Sequence, residues 1–193
     1  MPIRRFMALM ASLWLLVAAL PAMALDTSAG VGLQDRALFQ DTVDYTLTNQ
    51  SGNDFSSISL YTTGSTVALR DSNELVQGAT TAGNLTVNAG GAITQSAAIT
   101  ASGTSSFTAT GEGDITLTNA GNDFNTVSLT ASGGYGGAVR VVDANALTVS
   151  ALAAGANKAV SVAAGGTLGT TGAISGGDVT LSGATGLTLG HTV

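Results

Sequence analysis

Gly52-Asn53-Asp54-Phe55 returns at an offset of 69 as Gly121-Asn122-Asp123-Phe124, and its flank returns with it, SSISL after the first copy and NTVSL after the second. Farther on, Val67, Leu69, Asp71, Asn73 and Leu75 match Val139, Val141, Asp143, Asn145 and Leu147 at an offset of 72. Residues 84–99 (NLTVNAGGAITQSAAI) then match residues 159–174 (AVSVAAGGTLGTTGAI) at an offset of 75. An offset that grows along the chain means insertions between matching segments, which is how loops behave on a repeated scaffold held by strands. Two long repeats follow, about 47–116 and 117–189.

Within each repeat, short apolar–polar–apolar triplets are set off by glycine-rich turns. They include Ile58-Ser59-Leu60, Leu85-Thr86-Val87, Phe107-Thr108-Ala109, Val127-Ser128-Leu129, Leu147-Thr148-Val149 and Val179-Thr180-Leu181. Such alternation marks a strand with one buried face. Phe107, Val127 and Leu147 follow one another at an equal step of 20, a spacing that predicts one strand per coil stacked on the next. Only Asp35 to Gln40 admits a helical reading after residue 25. A sandwich or antiparallel barrel is the competing all-β solution. The scarcity of aromatics, 5% of the chain, favours the narrow interior of a parallel β-helix, filled by stacked Val, Leu, Ile, Ala and Thr. The expected fold class is therefore all-β, a right-handed parallel β-helix of roughly seven or eight coils at the ~20 residues of short-period solenoids.

Residues 1–24 stand apart from the repeats. Arg4 and Arg5 precede an apolar run from Met7 to Leu20, and Ala22-Met23-Ala24 supplies a small-x-small pattern. This reads as a signal peptide, helical before the solenoid, with cleavage between Ala24 and Leu25. The run is shorter than the ~20 residues of a membrane-spanning helix. Residues 25–46 then form an N-terminal cap or lead-in, and 47–193 the β-helix. Beyond the leader, Arg36, Arg70, Arg140 and Lys158 face all twelve acids, giving 4 − 12 = −8. Four scattered cations make no phosphate-binding stripe, so nucleic acid is not an expected partner. Cysteine is absent and His191 is the single histidine, which removes thiolate and paired-histidine metal sites.

The run GNDFNTVSLTASGG, then AVRVVDANALTVS and AVSVAAGGTLGTTGAI, resembles the β-strand repeats of filamentous-haemagglutinin-like exoproteins of Gram-negative bacteria. The resemblance covers about residues 47–189. It implies a long secreted adhesin with a right-handed β-helical stalk, delivered through the periplasm by outer-membrane export machinery to the cell surface or medium. It also implies a receptor on a host or neighbouring cell. The Asn-Pro motifs usual in the secretion domain of that family are missing, since no proline follows residue 21. The strand pattern runs to Leu187-Thr188-Leu189 without a polar cap, so a C-terminally truncated solenoid that associates end to end is expected.

No residue set reads as catalytic, cofactor-binding or metal-binding, and the chain is expected not to be an enzyme. Asn53-Asp54 and Asn122-Asp123 read as corner turns rather than calcium ligands. Asp71 and Asp143, each followed two residues later by Asn, read as corner residues making Asx-type bonds. Glu112 and Asp114 would be the carboxylates of an alternative, a secreted β-helix enzyme acting on polysaccharide, although the chain lacks tryptophan beyond the leader. Thr46-Leu-Thr48, Thr108-Ala-Thr110 and Thr116-Leu-Thr118 raise a remoter alternative, an ice-binding solenoid, but do not recur at the coil step. The expected contact loop is Ser132, Gly133, Gly134, Tyr135, Gly136 and Gly137, an insertion absent from the first repeat.

Overall fold

A computed structural model describes residues 15–18, 34–41, 44–48, 53–131 and 135–191. Eighteen strands follow one another: β1 (Leu15–Ala18), β2 (Gln34–Asp41), β3 (Tyr45–Leu47), β4 (Asp54–Thr62), β5 (Thr66–Asp71) and β6 (Leu75–Ala82). Then come β7 (Asn84–Ala89), β8 (Ile93–Gln95), β9 (Ile99–Ala109), β10 (Ile115–Leu117), β11 (Asp123–Ala131) and β12 (Val139–Asp143). The last six are β13 (Leu147–Ala153), β14 (Val160–Ala164), β15 (Thr167–Thr170), β16 (Ile174–Ser175), β17 (Val179–Gly183) and β18 (Gly186–Leu189). Every pairing among them is parallel and joins one coil to the next, as in β5 with β7 and β12 with β14. The protein is an all-β parallel solenoid of about seven coils.

Register sorts the strands into three ladders. On ladder A, Leu75, Ile93, Ile115, Val139, Val160 and Val179 lie over one another. Ladder B carries Leu147, Leu168 and Leu187. On ladder C the stack is Leu47, Leu69, Val87, Phe107, Leu129, Leu152 and Ile174. Like lies on like, as the sequence leads one to expect, and as far as Val160, Leu168 and Ile174 these inner rows form one continuous buried core. Each row aligns methyl against methyl at the inter-strand spacing of ~4.8 Å, so coil-to-coil burial is repeated along the axis. Some strands run round a corner: β9 supplies ladder B with Ile99–Ala101 and ladder C with Ser105–Ala109.

Three sequence expectations need correction. The coil is not of uniform length: Leu75 to Ile93 is a step of 18, and Ile115 to Val139 a step of 24. Phe107 therefore lies under Leu129 rather than Val127, and Val127 under Val149 rather than Leu147. A slip of two positions leaves every side chain on its own face of the strand, so alternation alone could not detect it. Gln34–Asp41 is strand, not helix; it pairs with Asp54–Thr62, which carries the ladders back into the segment read as lead-in. Leu15–Ala18, inside the expected helical leader, is likewise extended and parallel to Ala37–Gln40. An open ladder edge offers unpaired N–H and C=O groups to any extended apolar segment within reach, and that competes with local helix formation. Ala24 and Leu25 lie outside the described residues.

The three ladders also explain the growing offset of the long repeats. Phe55 is the second residue of β4, whose Ser57 pairs with Val76 on ladder A, whereas Phe124 lies over Ala101 on ladder B. Leu85 stands on ladder C, but its counterpart Val160 stands on ladder A. Each match is displaced by three coils and one further face. The long repeat spans ten faces, so its two copies are rotated a third of a turn about the axis.

Candidate functional site

The Asn-Asp-Phe part of the repeated segment closes a corner between faces. In the first copy, the Asn53 side chain is fully buried and its Nδ2 donates to the carbonyl oxygens of Leu47 and Arg70 at 3.0 and 3.1 Å. One of those carbonyls is on its own coil and the other on the next, so one amide ties two coils. Asp71, 3% exposed, accepts from the N–H of Phe55 at 2.7 Å through Oδ1 and from that of Asn73 through Oδ2. Asn73 Nδ2 in turn donates to Asp54 Oδ1 at 2.8 Å. Burial raises the Asp71 pKa above its ordinary value; the amides of Phe55 and Asn73 oppose this, and the nearby Asp54 charge adds to it.

The second copy reproduces the arrangement one face on. Asn122 Nδ2 donates to Leu117 and Val142 carbonyls, and Asp143 accepts from Phe124 and Asn145 N–H groups at 2.7 and 2.9 Å. Burial likewise raises the Asp143 pKa, against the same pair of amide donors. This corner carries an extra component. Gln95 exchanges hydrogen bonds with the Asn122 amide in both directions, and the Ile99 N–H donates to Asn122 Oδ1 at 3.0 Å. The Asx bonds of Asp71 and Asp143 are thus as the sequence suggests. The burial of Asn53 and Asn122 is not legible there, because Asn before Asp reads as an exposed turn; the signal available was that Phe follows Asp in both copies, which draws the whole turn inward.

The expected contact loop is only partly described, since Ser132, Gly133 and Gly134 lie outside the described residues. Tyr135 is 82% exposed, whereas Gly136 and Gly137 are buried. Gly136 has φ +61°, and a Cβ there would stand 2.5 Å from the Gly155 Cα. Only glycine permits both the left-handed backbone and that approach. Gly155 N–H donates to Gly137 C=O at 3.0 Å, locking the loops of adjoining coils together. Between them runs an open groove of about 590 Å³, lined by Thr130, Tyr135, Ala154, Asn157 and Lys158 among others.

The remaining candidates stay apart. Glu112 is exposed at φ +62°, while Asp114 accepts from Ala138 N–H at 2.7 Å and faces Arg140 at 3.8 Å. Asp114 therefore serves the next coil, in the manner of Asp44 and Asn84, which accept from Thr66 and Thr104. Among the described residues no three His, Cys, Asp or Glu side chains converge as a metal site would require. Thr46 and Thr108 both fall on ladder C, but Ala68, Arg70, Thr86 and Asn88 occupy the intervening positions, so the outer rows are mixed.

Comparison with protein families finds a match to Repeats of unknown function (DUF5649), over residues 64–131. That span begins in the turn before β5 and ends with β11. Comparisons with curated proteins and with solved structures find no match.

Proposed function

We propose that this chain is a rod-like segment of an exported bacterial surface protein, which presents loops for attachment to a host or neighbouring cell. One observation carries the reading: the buried polar side chains Asn53, Asn122, Asp71 and Asp143 are all turned on the backbone of adjoining strands. Side chains committed in that way stiffen corners and leave little chemistry for a substrate. What faces outward is the groove beside Tyr135 and Lys158, held by the glycine contact of two loops. The leader-like residues 1–24 support a route through the periplasm, with outer-membrane export machinery as partner.

The test has two parts. An antibody against residues 135–146 should label intact cells expressing the chain, and beads coated with the chain should adhere to epithelial monolayers. Tyr135→Ala combined with Lys158→Ala should lower bead adherence several-fold without changing the circular dichroism. Labelling seen only after lysis, or adherence no greater than that of uncoated beads, would overturn the proposal.

A further inference from the structure

Two clefts open along one corner of the solenoid, where the strands of ladder C end. One is the groove beside Tyr135 and Lys158. The other, of about 540 Å³, is lined by Arg70, Asp71, Asn88 and Thr110 among others. A single outward row runs past both: Arg70 pairs with Asn88, Asn88 with Thr108, Thr108 with Thr130, and Thr130 with Ala153. Thr110 lines the first coil-end cleft and Thr130, one coil on, lines the second. The clefts are therefore in line along the axis. From Arg70 to Ala153 is four coil steps, ~19 Å at the inter-strand spacing, and Lys158 lies in the loop that follows Ala153.

Each cleft carries one exposed cation, Arg70 or Lys158. Neither has an acid within ion-pair distance among the described residues, where the ion pair is Arg140 with Asp114. Between the two cations the row presents the amide of Asn88 and the hydroxyls of Thr108 and Thr130. None of these side chains hydrogen-bonds to another described residue. Asp71 is the acid among the lining residues, and both its oxygens are taken by the N–H groups of Phe55 and Asn73. Tyr135, 82% exposed, stands at the far end.

We propose that this corner is a track for a linear uronate-bearing glycan, which lies along the axis with one carboxylate on Arg70 and another on Lys158. The inference rests on the reading of the chain as an attachment segment, and it names the chemistry of what is attached. Two cations four coils apart suit a polymer with spaced carboxylates. A nucleic acid, charged at every step, would ask for a cation on every coil. An extended peptide along the axis would cross the strands and meet side chains, with no backbone edge to pair with. Sugar hydroxyls both donate and accept, as do Thr108 and Thr130, and the row repeats its groups coil by coil as a chain of like sugars does. Tyr135 gives one sugar ring an apolar face to stack on. With Asp71 committed to backbone N–H groups, the track holds its ligand and does not cut it.

The full chain can be titrated calorimetrically with octasaccharides of hyaluronan and of polygalacturonate. At least one should bind, and the matching disaccharide should bind more weakly by about tenfold, because it reaches one cation alone. Arg70→Gln and Lys158→Gln should each weaken octasaccharide binding by about tenfold, the loss of a hydrogen bond to a charged group. Arg140→Gln, off the track, should leave it unchanged. The proposal is overturned if neither octasaccharide binds, if octasaccharides with their carboxyls reduced to alcohols bind equally well, or if Arg140→Gln costs as much as Arg70→Gln. Bead adherence separates this inference from the reading beneath it. Octasaccharide binding with no bead adherence upholds the track and overturns the attachment role; adherence with no octasaccharide binding overturns the track alone.

Discussion

The Phe124 N–H donates to Asp143 Oδ1 at 2.7 Å, and Phe55 donates to Asp71 at the same distance. The two contacts close different corners of the solenoid, the first between ladders A and B, the second between C and A. A corner device that works at two corners does not depend on which face it serves. It needs an inward Phe to place the N–H, a buried Asp to receive it, and an Asn two residues on to hold the second oxygen.

Removing the acceptor should therefore cost similar amounts at both corners. Asp143→Ala and Asp71→Ala each leave two backbone donors unmet, one of them on a fully buried residue. A loss of about 2–4 kcal/mol is expected from stranded buried donors, read from urea unfolding. A loss at one corner with none at the other would show that the two are not the same device.

The same carboxyls make stability fall as pH rises. Burial raises both pKa values in the folded chain. An acid with a raised folded pKa contributes stability that is complete below its ordinary unfolded value and lost as pH climbs through the folded one. The urea midpoint of the native chain, measured against Asp71→Asn with Asp143→Asn, should thus decline from about pH 4 upward, starting near the ordinary aspartate pKa. A difference that grows with pH would mean that the amide donors outweigh burial and hold the carboxyls low.

How much of this was legible in the sequence depends on what each signal measures. Alternation reports which face a residue takes, so the inward rows, the buried Phe55 and Phe124 and the parallel solenoid could all be read. Alternation is blind to a shift of two, and the unequal coils, Leu75 to Ile93 against Ile115 to Val139, exploit that freedom. The match at an offset of 69 was visible as similarity, yet nothing in it told that the second copy had turned by one face. Buried Asn53 and Asn122 were hidden because both amides are tied chiefly to backbone groups, which no residue type announces.

Asn122 should be more sensitive than Asn53. Its amide meets three acceptors, Leu117, Val142 and Gln95, and its oxygen meets two donors, Gln95 and Ile99. Asn53 has two described bonds, and its Oδ1 is buried without a partner among the described residues. Asn122→Ala should cost about 2–4 kcal/mol and Asn53→Ala less, by the loss of buried hydrogen bonds. Asn122→Asp should be worse than alanine, because it aims a carboxylate at two carbonyl oxygens. Equal losses at both sites, or a tolerated Asn122→Asp, would contradict the assignment of Nδ2 to the carbonyls.

The core rings supply a test of the corrected register. Phe107 on ladder C meets Phe124 on ladder B edge to face, with centroids 5.8 Å apart and planes at 80°. Both rings are fully buried. Each change to alanine should cost about 3–5 kcal/mol. The double variant should show a coupling of about 0.5–1.5 kcal/mol, the range for an aromatic pair. Phe55 and Phe124 lie three coils apart, ~14 Å at the inter-strand spacing, so Phe55→Ala with Phe124→Ala should be additive. Additivity for Phe107 with Phe124 would break the register, since moving either ring by one coil separates them. Coupling between Phe55 and Phe124 would mean that the two corners share one packing unit and that the solenoid does not unfold coil by coil.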